Sequence, residues 1–181
     1  YGVRLVGTGA RSTRIRVNRN FTGLTTTGAI RLGRGDIPIF GTTVEDLMVE
    51  CNGYASSVGI YSSDVYDNSG VRNVLVNGFR GYGIRFNGAG GTFGSVSGFF
   101  LENIECYKAA FDGVSGIGIS LEAGSFGALL KRLSVAGAVS NGLAVGIKLV
   151  DFVGYLENIG ADIAGTTGVL FDTGSSGGIT G

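Results

Sequence analysis

A six-residue segment that recurs along the chain limits its fold more than any other feature. Each copy reads apolar, charged, usually Asn or Asp, apolar, variable, apolar, and the copies recur every 26 to 30 residues. A unit this short cannot bury its own apolar side, so it must stack on its neighbours. The copies occupy residues 44–49, 71–76, 101–106, 130–135 and 156–161.

A second segment follows each copy and begins with glycine. It alternates apolar and polar residues, which is typical of a strand, and it is too short and too rich in glycine for a helix. Two short strands in each repeat predict an all-β fold, a parallel β-solenoid of about six coils. The second segment reads Gly-Ile-Tyr at 59–61, Gly-Ile-Arg-Phe at 83–86, Gly-Ile-Ser-Leu at 118–121, Gly-Ile-Lys-Leu at 146–149 and Gly-Val-Leu-Phe at 168–171.

The first segment also predicts how coils stack on one another. Inward positions of a regular strand are two residues apart, but positions 44 and 47 are three apart. The extra residue, Asp46, must therefore lie at a bend. Asn and Asp tolerate left-handed backbone there and can hydrogen-bond to each other from coil to coil. The position before the bend alternates in charge, which favours neighbours in a parallel ladder. That charged position holds Glu45, Arg72, Glu102, Lys131 and Glu157.

Composition sets limits on the whole chain. Glycine accounts for 35 of 181 residues while there is a single proline, which suits a fold with a tight turn at every corner. The net charge is zero, so electrostatics gives no reason to expect a nucleic-acid partner, and no apolar run is long enough to insert into a membrane. We expect one domain over 1–181, with the first coils in 1–43 and regular coils in 44–181.

The first residues of the chain resemble a known superfamily. Residues 2–15, Gly-Val-Arg-Leu-Val-Gly-Thr-Gly-Ala-Arg-Ser-Thr-Arg-Ile, followed by Thr-Val-Glu-Asp-Leu at 43–47, are similar to the opening of pectate-lyase-like proteins. The resemblance implies a right-handed parallel β-helix and an Asn ladder at one bend. That superfamily includes polysaccharide lyases, polygalacturonase-like hydrolases and bacteriophage tailspikes, so the resemblance favours a fold rather than one activity.

Several chemistries are excluded or not indicated by the residues. The chain has no histidine, which excludes Ser-His and Cys-His nucleophiles and His metal sites, and no cofactor or metal is predicted. Cys51 and Cys106 fall on inward positions two coils apart, about 10 Å, which is too far for a disulfide. We expect them to be buried free thiols.

Candidate site residues lie on the second segment and in the loop after its first copy. Two carboxylates in the Tyr-rich loop 61–67, Asp64 and Asp67, are the catalytic candidates, although a plain polar turn explains them as well. Basic and aromatic residues on the outward side of the second segment are candidates for carbohydrate binding, and the alternative is a solvated outer face. The carbohydrate-binding candidates are Tyr61, Tyr66, Arg31, Arg85 and Lys148.

Two functions follow as hypotheses. The first is a segment of a phage tailspike or tail fibre that binds host cell-surface polysaccharide, with or without cleaving it, as a homotrimer in the virion tail. It is favoured by a chain that starts at Tyr1 without Met and ends in a Gly-rich stretch, as if flanking domains contact other tail proteins. Apolar Met48 and Leu75, expected to point outward, favour the trimer interface. The alternative is a secreted monomeric polysaccharide lyase or glycoside hydrolase.

Overall fold

The computed structural model describes residues 2–18, 28–33, 37–54, 58–88, 96–108, 116–122, 125–137, 143–162, 164–172 and 176–180. Within these ranges every named element is a β-strand, and every strand pair is parallel. The strands are β1 (Arg4–Val6), β2 (Arg14–Arg16), β3 (Gly28–Leu32), β4 (Thr43–Glu50), β5 (Val58–Ser62), β6 (Gly70–Asn77), β7 (Tyr82–Asn87), β8 (Val96–Ser97), β9 (Phe100–Lys108), β10 (Gly116–Glu122), β11 (Ser125–Gly137), β12 (Leu143–Leu149), β13 (Phe152–Asp162), β14 (Ala164–Phe171) and β15 (Ser176–Thr180).

The strands form two sheets between which the chain alternates. The nine-stranded sheet follows the order β1-β4-β6-β9-β11-β13-β15, with β2 beside β4 and β8 beside β11. The six-stranded sheet follows the order β14-β12-β10-β7-β5-β3. Parallel neighbours require a crossover, and here a strand of the opposite sheet supplies it. The predicted all-β class with parallel pairing of successive repeats is therefore confirmed, and the arrangement is consistent with a β-helix.

The bend in the first segment has the predicted conformation in all five copies. The residues at that position have φ between +52° and +57°, the left-handed region. Nδ2 of Asn73 donates to Oδ1 of Asp46 at 2.9 Å, and Nδ2 of Asn103 donates to Oδ1 of Asn73 at 2.9 Å. This hydrogen-bonded ladder confirms the stacking, and even Arg132 adopts the bend, at φ +52°.

The charged position before the bend forms the predicted ladder of alternating sign. Glu45 pairs with Arg72, Arg72 with Glu102, and the series continues through Lys131 to Glu157. Arg72 and Glu102 are joined at 2.9 Å, and Lys131 and Glu157 at 3.1 Å. Burial alone would raise the pKa of Glu102, but its bonds to Arg72 and Arg132 outweigh burial and lower it. Each facing pair stabilises the stack by about 0.2–1 kcal/mol.

Apolar columns fill the space between the two sheets. In the six-stranded sheet the isoleucines of the second segment stack in register from Ile30 to Ile147, and Val169 extends the column. In the nine-stranded sheet Leu47, Val74, Ile104, Leu133 and Ile159 stack in the same way. Cys51 and Cys106 are buried free thiols, as predicted.

The glycine that opens the second segment marks where the sheets approach most closely. A Cβ built on Gly118 would overlap Cγ1 of Val135 on the opposite sheet and would lie 2.7 Å from the carbonyl oxygen of Gly146. The equivalent Cβ on Gly83 would lie 2.9 Å from Sγ of Cys106. Only glycine therefore fits at Gly83 and Gly118 without movement of the backbone or of the opposite sheet, whereas a Cβ on Gly168 would meet its nearest atom at 3.8 Å, an ordinary contact.

The expected exposure of Met48 and Leu75 was wrong. Both lie in the outward column of the nine-stranded sheet, but they are only 7% and 8% exposed. Arg11, which precedes β2 beside Met48, reaches across that column to bond Glu105 at 3.2 Å. Both side chains are therefore buried within one chain, and the Arg11–Glu105 ion pair lies on the same face, since Glu105 follows Leu75 in this column.

The apolar core opens at its N-terminal end. A cavity of about 430 Å³ lies between β1 and β3. The inward residues Ile30, Leu32 and Val44 line it. Val3 and Leu5, which also line the cavity, are 66% and 41% exposed. Among the residues with a described structure, no helix is long and apolar enough to cross a membrane.

Candidate functional site

The outward column of the six-stranded sheet brings the predicted basic residues onto one face. The cross-strand partners run from Arg31 through Tyr61, Arg85, Ser120 and Lys148 to Leu170, in the predicted register. The residue that precedes each of the first five members is a buried isoleucine of the column described above. Because side chains alternate along a strand, this set points outward. We call this surface, together with Tyr82, Glu122 and Asp172, the outer face.

A compact polar network occupies the centre of the outer face. Nη2 and Nε of Arg85 both donate to Oε2 of Glu122, at 2.7 and 3.2 Å. The hydroxyl of Ser120 donates to the other carboxylate oxygen of Glu122 at 2.7 Å. The guanidinium of Arg85 also lies over the ring of Tyr82, 4.6 Å from its centroid. Arg85 and Glu122 are therefore held in fixed orientations by several partners each.

The charge of Glu122 stabilises the charged form of Arg85. Burial alone would lower the pKa of Arg85, but the hydrogen bonds and charge of Glu122 outweigh it, so the pKa is raised. The side chains are only 13% and 17% exposed, which strengthens their attraction relative to a fully solvated pair. In this geometry both carboxylate oxygens of Glu122 accept hydrogen bonds, one from Ser120 and the other from Arg85.

Two further cations flank this centre. Nζ of Lys148 lies 3.9 Å from Oδ2 of Asp172. At the other end of the column Arg31 is exposed, and its Nε donates to the carbonyl of Gly33 at 2.9 Å. Its guanidinium lies 5.9 Å from the centroid of the Tyr61 ring. Arg85 and Lys148 thus each have a carboxylate partner on the outer face.

Two of the predicted site residues are not accessible. Tyr61, between Arg31 and Arg85 in the column, is 1% exposed, and Asp64 is fully buried. Tyr66 is half-buried and pairs with the ring of Phe40 at 5.7 Å, whereas Asp67 is exposed beside Gly98. A ligand on the outer face would meet Arg31, Arg85 and Lys148 without touching Tyr61. The roles given to these residues in binding and catalysis stay predictions.

The sequence pattern did not predict the carboxylates and the aromatic ring that contact the basic residues of the outer face. Glu122 and Asp172 each lie one residue beyond the stretch that defines the second segment, and Tyr82 lies one residue before it. Continuing the two-residue alternation from Ser120 would have placed Glu122 on the same side as Arg85. Tyr82 is the cross-strand partner of Val58 and Ile117. All three residues precede the glycine with which the second segment begins.

The described residues of the outer face offer hydrogen-bond donors and acceptors, with Ser120 itself buried beneath them, and they form no catalytic constellation. Glu122 is bonded to Arg85 and Ser120, and the two predicted catalytic carboxylates differ in exposure, one buried and one exposed. Across the described ranges no group of three His, Cys, Asp or Glu residues could hold a metal ion.

Comparison of the chain with protein-family models, curated proteins and solved structures finds no match.

Proposed function

We propose that this chain is the β-helix segment of a tailspike or tail fibre, and that its outer face binds cell-surface polysaccharide. In this proposal the coils are right-handed, as parallel crossovers almost always are, and the protein belongs to the pectate-lyase-like superfamily. The observation that carries it is the fixed network of Arg85, Glu122 and Ser120 beside the ring of Tyr82. Paired donors and acceptors next to an aromatic ring suit a ligand that has many hydroxyl groups.

The rigidity of the scaffold supports binding at this face. Arg31, Arg85 and Lys148 are carried by strands β3, β7 and β12, whose neighbours are held in register by the buried columns. Neighbouring strands are about 4.8 Å apart, so a chain of sugar rings laid across them meets a new side chain at each step. Sites on strands hold their geometry better than sites on loops.

A homotrimer remains part of the proposal, but with a different interface from the one first expected. Met48 and Leu75 are covered within the chain, whereas Leu129, Val153 and Tyr155 on the nine-stranded sheet are 40%, 38% and 44% exposed. Leu129 and Tyr155 are cross-strand neighbours and so form a continuous apolar strip. Replacing Leu129 by Asp is expected to lower the sedimentation coefficient of a trimer to that of a monomer. A coefficient unchanged by that substitution would reject this interface.

The second candidate function is a secreted polysaccharide lyase or hydrolase. It requires a carboxylate set that reaches substrate, and the exposed Asp67 is the predicted carboxylate that keeps this candidate open. Incubation of the full-length protein with capsule and lipopolysaccharide polymers, followed by gel filtration, distinguishes the two. A polymer that is bound and keeps its size supports a binding protein, and shortened polymer supports an enzyme.

A matched pair of lysines tests the location of binding. Lys148 on the outer face and Lys131 on the nine-stranded sheet have similar side-chain exposure, 28% and 33%, and each pairs with a carboxylate. We expect Lys148→Ala to weaken polysaccharide binding severalfold and Lys131→Ala to leave it unchanged, as measured by calorimetry. Equal effects of the two substitutions, or a loss with Lys131→Ala alone, would reject the outer face as the binding site.

A further inference from the structure

The central cations of the outer face are balanced by carboxylates. Arg85 pairs with Glu122 at 2.7 Å, and Lys148 lies 3.9 Å from Asp172. The sequence alone shows a basic and aromatic column, which would suit an acidic polymer. Among the residues that the structure describes, the Arg85–Glu122 and Lys148–Asp172 pairs together carry two positive and two negative charges. Arg31 lies further along the same column, separated from Arg85 by the buried Tyr61.

This charge balance works against an anionic ligand. A ligand carboxylate that approached Arg85 would come close to the carboxylate of Glu122, which is bonded to the same guanidinium. Like charges repel most strongly where the groups are partly buried, and Glu122 is only 17% exposed. The ligand would have to displace Glu122, which is also held by the hydroxyl of Ser120 at 2.7 Å.

Hydroxyl groups meet no such obstacle. A sugar hydroxyl accepts a hydrogen bond from a guanidinium or ammonium group and donates one to a carboxylate, so a pair of neighbouring hydroxyls can bridge both members of an ion pair. The pairs Arg85–Glu122 and Lys148–Asp172 offer two such bridges on the same sheet. The ring of Tyr82 adds an aromatic surface beside the first of them.

We infer that the outer face selects uncharged polysaccharides over acidic ones. The inference rests on the proposed polysaccharide-binding function and adds the class of polymer that the site takes. One consequence is that binding depends little on salt, because no net charge is neutralised when the complex forms. We expect the affinity to change by less than about twofold between low and physiological ionic strength.

Removal of one carboxylate is expected to change this selectivity. Glu122→Gln keeps the shape of the side chain but removes one negative charge from the outer face, so affinity for acidic polymers should rise about two- to fivefold. Glu105→Gln is the matched control, since it removes the same charge from a carboxylate paired with Arg11 on the nine-stranded sheet. If Glu122→Gln does not fold, Asp172→Asn makes the same charge change at a residue whose side chain is 43% exposed.

The test uses the full-length protein on an array of capsule and lipopolysaccharide polymers. Each acidic polymer is printed twice, as the native acid and after chemical reduction of its carboxylates to alcohols, so that the two share one backbone and differ at the carboxylate positions alone. The expected result is binding to one or more neutral or reduced polymers, weak binding to their acidic forms, and a shift toward the acids with Glu122→Gln but not with Glu105→Gln.

The outcomes separate this inference from the proposed function. Stronger binding to native acids, or equal binding to the acid and its reduced form, would overturn the selectivity and leave polysaccharide binding standing. Selectivity for neutral polymers that is the same in Glu122→Gln and the unaltered protein would overturn the role of the Arg85–Glu122 pair. Binding to no polymer on the array would reject the proposed function, and the inference with it.

Discussion

Replacing Gly118 by alanine is expected to destabilise the protein severely. The added methyl group would overlap Cγ1 of Val135 on the opposite sheet and would lie 2.7 Å from the carbonyl oxygen of Gly146. The first contact requires Val135 to move, and the second is with the backbone of β12, which is held between its neighbours β10 and β14. Overpacking of a dense core by one methylene group costs about 1–3 kcal/mol. With two obstructed directions we expect a loss of about 3 kcal/mol.

Gly160 supplies the matched control for this prediction. It lies in β13, its φ is not in the left-handed region, and a Cβ built there meets no atom within 4 Å. Gly160→Ala is therefore expected to leave stability unchanged or to raise it by up to about 1 kcal/mol, because alanine loses less backbone entropy on folding. The same chemical change is thus tested where the two sheets meet and on an open surface.

Urea unfolding followed by far-ultraviolet circular dichroism measures both variants, and the absence of tryptophan makes the backbone signal the better probe. With a slope of about 2–3 kcal/mol per molar urea, Gly118→Ala should lower the midpoint by about 1 M. Adding Val135→Ala to Gly118→Ala should recover part of the loss, because it removes the overlapping methyl group. A Gly118→Ala midpoint within experimental error of Gly160→Ala would refute the packing of the two sheets described above.

Three further predictions follow from single positions. The buried hydroxyl of Ser62 has no hydrogen-bond partner within the described part of the chain, so Ser62→Ala should stabilise the protein by about 1 kcal/mol, and a clear loss in the unfolding midpoint would contradict this. Asn103 has φ +54° and bonds Asn73, so Asn103→Ala should lower the free energy of unfolding by about 2 kcal/mol and Asn103→Gly by less. A lower melting temperature for Asn103→Gly than for Asn103→Ala would argue against a strained bend. Burial raises the pKa of Cys51 to about 12 and raises the pKa of Cys106 as well, so both thiols should resist Ellman's reagent at pH 8 unless the protein unfolds. The free energy of unfolding should fall as pH rises from about 9 towards 12, because the thiols ionise more readily in the unfolded chain. Rapid labelling of the native protein would contradict this prediction.

The repeats alone predicted the strand pairing because two independent patterns agree on one register. The bend at Asp46 and its equivalents requires an extra residue, and the charges before it alternate in sign only when Glu45 faces Arg72 and each later copy follows in step. A slip of one residue would point those charges into the core. The local patterns were therefore sufficient to determine which strands pair and which side chains point inward.

Exposure could not be predicted in the same way. Alternation tells which side of a sheet a residue occupies, but it does not tell what lies over that side. Met48 and Leu75 point outward and are still buried within one chain, on the face where Arg11 of the N-terminal turn bonds Glu105. Contacts of this kind join residues far apart in sequence, and no repeat specifies them.

The character of the candidate site was partly hidden for a related reason. The basic column could be read from the second segment, but its neutralising partners lie just outside the repeated residues. Glu122 is bonded to Arg85 on the adjacent strand, and Asp172 lies near Lys148 across another strand pair. The outward side chains form two rows, one with the basic residues and one with Glu122 and Asp172. The net charge of the sheet surface depends on both rows, and the repeated residues include only the first.

The most direct measurement is a structure of the full-length protein with an oligosaccharide from a polymer that it binds. We expect density for the sugar on the outer face of the six-stranded sheet, with hydroxyl oxygens within about 3 Å of Arg85 and Glu122. Sugar bound instead along the apolar strip of Leu129 and Tyr155, or elsewhere on the nine-stranded sheet, would contradict it.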